Sequence, residues 1–238
     1  MFIGHDAAKP AREAYDTWAA NYDTQPGNLM LDLDEVVFAE LLDDISINGK
    51  SVADIGCGTG RHWKNIYDKH PAQLSGYDVS AGMLAQLSCK YPNAQVHQIT
   101  DNRFTQIGNG SFDCLISTLT IAHIKDINEA IDAWMRMLKK GGHIILTDFH
   151  PSLLQKGGKR SFSHGGKTVT VRNYAHPVAE VERIFGQHGC LIERRIERYI
   201  DEDVRHYYEA KQAVDVYERF KGAPVIYGLL LRKEHEAE

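Results

Sequence analysis

The 238-residue sequence lacks long apolar runs. Stretches such as GLLL at 228–231 and HIIL at 143–146 fall far short of the roughly 20 residues that span a bilayer, so no transmembrane helix is expected. The opening MFIGHDAAKP has no basic patch leading into an apolar core and a small-residue cleavage site. It does not read as a secretory leader, and the cytoplasm is the default location. Cysteine is scarce and scattered: Cys57, Cys89, Cys114 and Cys190 show no C-x-x-C spacing. That excludes a disulfide framework and leaves reduced thiols acting as small hydrophobes. Basic excess is also missing, and a net charge of -5 argues against a general polyanion partner.

What remains is ordinary globular composition, 43% hydrophobic and 25% charged, in a chain long enough for one sizeable core. One domain spanning 1–238 is the simplest organisation, with a helical cover over 1–48, an alternating strand and helix half over 49–150 and an elaborated half with a flap over 151–238. AREAYDTWAANYD and DLDEVVFAELLDDI place apolar residues at helical spacing, with the Pro-Gly loop TQPGN between them. From residue 50 short β-branched runs alternate with amphipathic ones. SVADIG, QLSGYDV, AQVHQIT, SFDCLIST and HIILTDF read as strands. RHWKNIYDKH, SAGMLAQLSCKY with Ser80 as N-cap, and DINEAIDAWMRMLKKGG closed by its paired glycines read as helices. This alternation predicts an α/β fold with a doubly wound, mostly parallel sheet. Beyond Pro151, KRSFSHGGKTVTVRNY predicts a hairpin or flap, HPVAEVERIFGQHG a helix, CLIERRIERYI a strand, EDVRHYYEAKQAVDVYERFKG a helix and PVIYGLLLRKE a last strand.

The informative turn is SVADIGCGTG at 51–60. A strand running through a glycine-rich turn into a helix presents backbone N–H groups and a positive helix end to a ligand. Gly56, Gly58 and Gly60 give G-x-G-x-G, and Arg61 stands where the dinucleotide fingerprint has its third glycine. There is no G-x-x-x-x-G-K-[ST] loop either. The expected ligand therefore carries no phosphate at this turn.

VADIGCGTGRH resembles the first motif of class I S-adenosylmethionine-dependent methyltransferases, in the small-molecule branch of the type 11/25 kind. Further stretches resemble the later motifs in order: SGYDVS, HQITDNRF, SFDCLISTLTIAHIKD and MLKKGGHIILTDF. YDTWAANYD resembles the covering segment. The resemblance spans about residues 15 to 150 and the last strand. It implies a Rossmann-like seven-stranded sheet with a helical N-terminal cover and C-terminal hairpin and helix insertions, S-adenosyl-L-methionine as cofactor and S-adenosyl-L-homocysteine as product. It further implies that Asp54 holds the cofactor ammonium, that Asp78 accepts from both ribose hydroxyls, and that Asp101 and Asn102 meet the adenine. Ser117 to Leu119 would line the methionine end and Tyr22 would close over it. Gly56, Gly58, Gly60, Val79 and Met83 complete the expected cofactor contacts.

Methyl transfer needs a base only where the acceptor must lose a proton, and histidine is the natural candidate. His150, in DFHP at the end of a central strand, is the first choice, and His123 the second, with His164 and His176 in the flap behind them. Each could equally be a histidine satisfied by nearby backbone. Trp18, Tyr174 and His176 are expected toward the acceptor, with Tyr207 and Tyr208 as further candidate walls. Residues 151–176 hold Lys156, Lys159, Arg160, Lys167 and Arg172 and no acid. Either this is a solvated basic hairpin, or Arg160 and Arg172 bind an acceptor carrying a carboxylate or phosphate. No N/D-P-P-Y/F signature is present, the corresponding segment being STLT, which favours a small-molecule acceptor methylated at oxygen or nitrogen. A protein or nucleic-acid methyltransferase and a non-catalytic cofactor-binding regulator are the alternatives. No metal is assigned, because Asp148 alone does not make a metal site. Monomer and homodimer both stay open.

Overall fold

In the stretch at 15–22, Tyr15, Trp18, Ala19 and Tyr22 recur at three and four residue intervals and so share one helical face. In the computed structural model, which describes residues 8–234, that face packs inward. It belongs to α1 (Ala11–Trp18) and the 3-10 turn Ala19–Asn21. Most of the opening stretch read for a leader lies outside the described residues.

The chain continues through α2 (Leu29–Asp43), β1 (Ser51–Ile55), α3 (Trp63–Tyr67), β2 (Gln73–Asp78), α4 (Ala81–Lys90), β3 (Gln95–Gln98), β4 (Phe112–Thr118), α5 (Ile127–Met137) and β5 (Leu138–Phe149). Beyond these come α6 (Pro151–Gln155), β6 (Ser161–His164), β7 (Lys167–Thr170), α7 (Val178–Gln187), β8 (Cys190–Tyr199), α8 (Arg205–Glu209), α9 (Val214–Phe220) and β9 (Pro224–Lys233). Seven strands form one sheet in the order β3-β2-β1-β4-β5-β9-β8. β1 to β5 run parallel, while β9 enters antiparallel between β5 and β8. The strand order reverses direction at β1, between β2 and β4, which opens a crevice at the carboxyl ends of those strands.

Both faces of the sheet are covered, as parallel strands require. Ile131 and Trp134 of α5 and Val181 and Phe185 of α7 pack in one cluster, and Val37, Phe38 and Leu41 of α2 with Tyr217 of α9 in the other. Asn28 and Ser80 cap α2 and α4 through their side chains, supplying acceptors for otherwise orphaned N–H groups. Among the described residues no helix is long and apolar enough to cross a membrane.

Two local expectations shift. The paired glycines do not close α5, which stops at Met137; Gly141 and Gly142 sit inside β5. The reason is an irregular register: Leu138 pairs with Phe112 but His143 with Cys114, so the intervening residues bulge. The last long helix divides into a 3-10 turn, α8 and α9, with Gln212 at φ +54° between the latter two. The flap forms as a two-stranded hairpin of β6 and β7 turning at Gly165 and Gly166, both at positive φ, as a two-residue turn that fits strand twist demands.

The hairpin is stitched to the N-terminal cover. Lys9 N donates to Thr170 O at 2.9 Å and Arg172 N to Lys9 O at 2.8 Å. Trp18 stacks on Phe162 with centroids 4.3 Å apart.

α2 lies directly on β9, where a Cβ at Gly228 would come within 2.5 Å of Val37 Cγ1 and 2.9 Å of Leu41 Cδ1. Gly228→Ala is expected to destabilise the fold by about 1 to 3 kcal/mol through overpacking. Urea denaturation measures this; an unchanged midpoint would contradict so close an approach.

Candidate functional site

The glycine turn is set by the strands before and after it. β1 pairs with β2 so that Asp54 stands opposite Gly76 and Ile55 opposite Tyr77, which brings both strands to an end side by side. Gly56 N donates to Tyr77 O at 2.7 Å, and Gly58 N to Asp78 Oδ2 at 2.8 Å. Gly56 has φ +75° and Gly58 φ +54°, a conformation that suits glycine. A Cβ at Gly58 would meet no protein atom within 4 Å, so its missing side chain leaves open space.

That space is a cavity of about 120 Å³ bounded by the glycine turn, the ends of β2 and β4, α1 and the entry to the flap. Of the expected site residues, Tyr22, Gly56, Gly58, Asp78, Val79, Met83, Asn102, Leu119, His123 and Arg160 line it. A recess of about 30 Å³ adjoins it, lined by Asp54, Arg61 and His62 and sharing Tyr22, Gly56, Gly58, Thr118 and Leu119 with the larger cavity.

Other expected residues stand elsewhere. Asp101 is exposed and its carboxylate accepts from Arg103 N at 2.9 Å; it closes a turn rather than facing the cavity. Gly60 is a packing position, where a Cβ would press on Leu87 and Trp63. Ser117 is buried with its hydroxyl lacking a partner, and Trp18 lies behind Tyr22 at 5.0 Å between rings. Neither lines the cavity. Arg172 is exposed, with Nη2 3.4 Å from Ala8 O. Tyr174 stacks on His176, whose Nε2 bonds Ile124 O at 2.7 Å on the outer surface. Tyr207 belongs to a separate surface hollow with Asp32, and neither Tyr208 nor His164 reaches the cavity.

His150, the first choice of base, is a helix cap. Its Nδ1 accepts from Ser152 N at 3.3 Å and lies 2.7 Å from Ser152 Oγ, with Glu197 3.7 Å from Nε2. Pairing of β5 with β9, and His150 N with Val225 O at 2.9 Å, holds it away from the crevice. His123 does line the cavity. Nδ1 donates to Arg172 O at 3.1 Å, so Nε2 is the acceptor, taking Tyr15 O–H at 2.9 Å and Arg160 Nη1–H at 3.0 Å. Burial and the adjacent Arg160 charge push its pKa down to about 3. A neutral ring with both nitrogens engaged is a poor proton acceptor.

Tyr15 and Arg61 were not foreseen. Tyr15 sits seven residues before Tyr22 and three before Trp18, a spacing legible as one helical face. The aspartates that follow the two tyrosines anchor the cover: Asp16 Oδ1 accepts from Ser80 Oγ at 2.6 Å and Gly82 N at 2.9 Å, and Asp23 Oδ1 from Thr59 Oγ1 at 2.7 Å. Arg61 pairs with the fully buried Asp34, which also bonds Thr147 and lies 2.8 Å from His62 Nε2. Burial would raise the Asp34 pKa, but these partners hold it down at about 2.

Asp54 differs. Its Oδ2 accepts from Trp63 Nε1 at 2.8 Å, while Oδ1 is buried with no partner. Burial pushes its pKa up to about 7, against the Trp63 hydrogen bond. Asp78 is raised by burial too, although Gly58 and Ser80 N–H groups oppose this. A site of this kind can receive a cationic group at Asp54 and hydroxyls at Asp78. Among the described residues no cluster of His, Cys, Asp and Glu is placed to hold a metal ion.

Comparison with known proteins points the same way. Residues 53–146 match the family model described as a methyltransferase domain. An O-methyltransferase of Penicillium expansum, cnsE, is 28% identical over 111 residues, covering 43% of this chain and 40% of that protein. Phosphoethanolamine N-methyltransferase 2 of Caenorhabditis elegans is 30% identical over 103 residues, covering 42% of this chain and 24% of that protein. The chain thus spans less than half the length of these curated relatives. A solved structure of a putative S-adenosylmethionine-dependent methyltransferase from Listeria monocytogenes shares the fold, with a TM-score of 0.67, 19% identity and coverage of 87% and 99% of the two chains.

The Asp54 carboxyl gives a pH test. Its folded pKa is raised, so its stabilising contribution is complete below the unfolded value of about 4 and is lost as pH rises to about 7. Asp54→Asn removes that titration. The stability of the variant relative to the parent protein is expected to rise across this window, by at most about 1.4 kcal/mol per pH unit, and to level off above it. Denaturation of both proteins across the window measures this; a constant difference would contradict the shift.

Proposed function

We propose that this chain, which belongs to the class I S-adenosylmethionine-dependent methyltransferases, transfers a methyl group to an oxygen or nitrogen of a small-molecule acceptor. The observation that carries this reading is the unpartnered Oδ1 of Asp54, buried beside a glycine turn in which the missing side chain of Gly58 leaves room for a ligand. An ammonium brought to that oxygen would satisfy an otherwise orphaned charge. Arg61 lines the same recess, although its terminal nitrogens are already engaged by Asp34, Glu35 and Leu31 O, so Asp54 is what fits the recess to the amino-acid end of the cofactor.

The larger cavity suits the nucleoside end. Each oxygen of Asp78 accepts one backbone N–H, and a carboxylate oxygen has lone pairs for more than one donor, so both can also accept ribose hydroxyls. Val79, Met83, Ile99 and Asn102 form the walls for the base; with Asp101 turned outward, Asn102 is the polar group there. Tyr15 and Tyr22 close the cavity from α1 and the turn after it.

When bound, the cofactor supplies an activated methyl group for in-line displacement. The chain then has to align the acceptor and keep water out. The cover and hairpin, tied together through Lys9, Val171, Trp18 and Phe162, enclose the reacting end, which supports a small acceptor over a polymer. His123 acts as a positioning residue. An acceptor atom that is already nucleophilic when bound matches this wall. The division into cover, cofactor-binding half and acceptor-side half of one domain forms part of the same proposal.

Isothermal titration with S-adenosylmethionine, followed by a labelled-methyl screen of metabolite pools, tests the reading. Micromolar binding and transfer to a small molecule are expected; no binding would contradict it. Asp78→Ala should weaken cofactor binding by about 1 to 3 kcal/mol through lost charge-assisted hydrogen bonds, and an unchanged Kd would remove the ribose role.

A further inference from the structure

Arg160 is a charged side chain with only 8% of its surface exposed, in the first residues of the flap. Burying a guanidinium is costly unless it is paired. Among the described residues its hydrogen bonds run from Nη1 alone, to Leu119 O at 2.9 Å and to His123 Nε2 at 3.0 Å. Its Cζ lies over the Tyr15 ring, 5.8 Å from the centroid. No carboxylate among the described residues pairs with it. The acids whose charge reaches it, Asp148 and Asp34, are spent elsewhere. Asp148 accepts from Ala122 N at 2.8 Å and Phe149 N at 2.6 Å, and Asp34 serves Arg61, His62 and Thr147.

The surroundings fix this cation in place. Leu119 has φ +52°, a strained value for a branched side chain. It is held by its own N–H to Thr147 O at 2.8 Å and by Arg160 on its carbonyl. His123, donating through Nδ1, keeps Nε2 turned to Arg160 and Tyr15. The guanidinium nitrogens not used by Leu119 and His123 thus remain for a ligand, at the wall shared by Tyr15, His123 and Leu119.

We propose that Arg160 is the anchor for the methyl acceptor and that this acceptor carries a carboxylate or a phosphate monoester, which the free edge of the guanidinium takes in a fork-shaped hydrogen-bonded pair. The inference rests on the methyltransferase reading and specifies its substrate class. Of the five basic residues in the acid-free stretch 151–176, only Arg160 lines the cavity.

The test uses the full chain saturated with S-adenosylhomocysteine and titrated, by nuclear magnetic resonance, with benzoate, phenyl phosphate and neutral benzamide. At least one anion should bind and benzamide should not; the stronger of the two anions identifies the group. Arg160→Gln should weaken anion binding about tenfold or more while S-adenosylhomocysteine affinity is kept. Arg160→Lys should recover part of it, and serves also if the glutamine variant does not fold. Equal binding of benzamide, no binding of either anion, or unchanged anion affinity in both variants overturns the proposal. So does an equal loss of S-adenosylhomocysteine affinity in Arg160→Gln, which would give the guanidinium to the cofactor's own carboxylate. Failure of the parent protein to bind S-adenosylhomocysteine at all would instead remove the underlying methyltransferase reading.

Discussion

Two acids at the ends of neighbouring parallel strands, Asp54 on β1 and Asp78 on β2, set the terms for everything around them. Parallel pairing places their strand ends together, and both are nearly buried. Each therefore loses water; burial raises the pKa of Asp54, the Trp63 hydrogen bond opposes this, and the like charge of Asp78 adds to the rise. A fold selected for stability alone would avoid this arrangement. The glycine turn relieves part of it, because Gly58 and Ser80 donate to Asp78. Asp54 receives one indole N–H and no more. Under the proposed function, that remaining deficit is what a cation bound beside hydroxyls would fill.

The wall opposite those acids comes from segments far apart in sequence. Asp16 and Asp23 fasten the N-terminal cover to α4 and to the glycine turn, which turns Tyr15 and Tyr22 toward the cavity. The hairpin then closes on the cover, through backbone pairing at Lys9 and ring stacking on Trp18. Arg160, just before β6, lines the cavity beside Tyr15 and His123. Asp54 and Asp78 thus stand on one side of the space and Arg160 on the other, the separation of charge on which the proposed cofactor and acceptor orientation rests.

Local signals marked the residues around the glycine turn, and not those of the wall opposite. Gly56, Gly58 and Asp78 are tied by the length of one strand-helix-strand unit, so their spacing carries the geometry. The flap was legible from its Gly-Gly turn. Asp101 failed because a turn needs the same residue types as an adenine contact. His150 failed for a tertiary reason: it ends a central strand as expected, yet antiparallel β9 turns it outward to cap α6. Arg160 and Arg172 are indistinguishable in sequence, and only the path of the hairpin buries one and exposes the other. Tyr15 was readable from helical spacing, whereas the pairing of Arg61 with Asp34 joins elements that no local pattern links.

The central claim is that the recess at Asp54 receives the amino-acid end of the cofactor. Its most direct measurement compares the affinities of S-adenosylhomocysteine and 5′-methylthioadenosine, which lacks that end, for the parent protein and for Asp54→Asn. The account predicts a preference for S-adenosylhomocysteine of about tenfold or more in the parent protein, reduced in the variant. Equal affinities in the parent protein, or a preference untouched by the substitution, would contradict it.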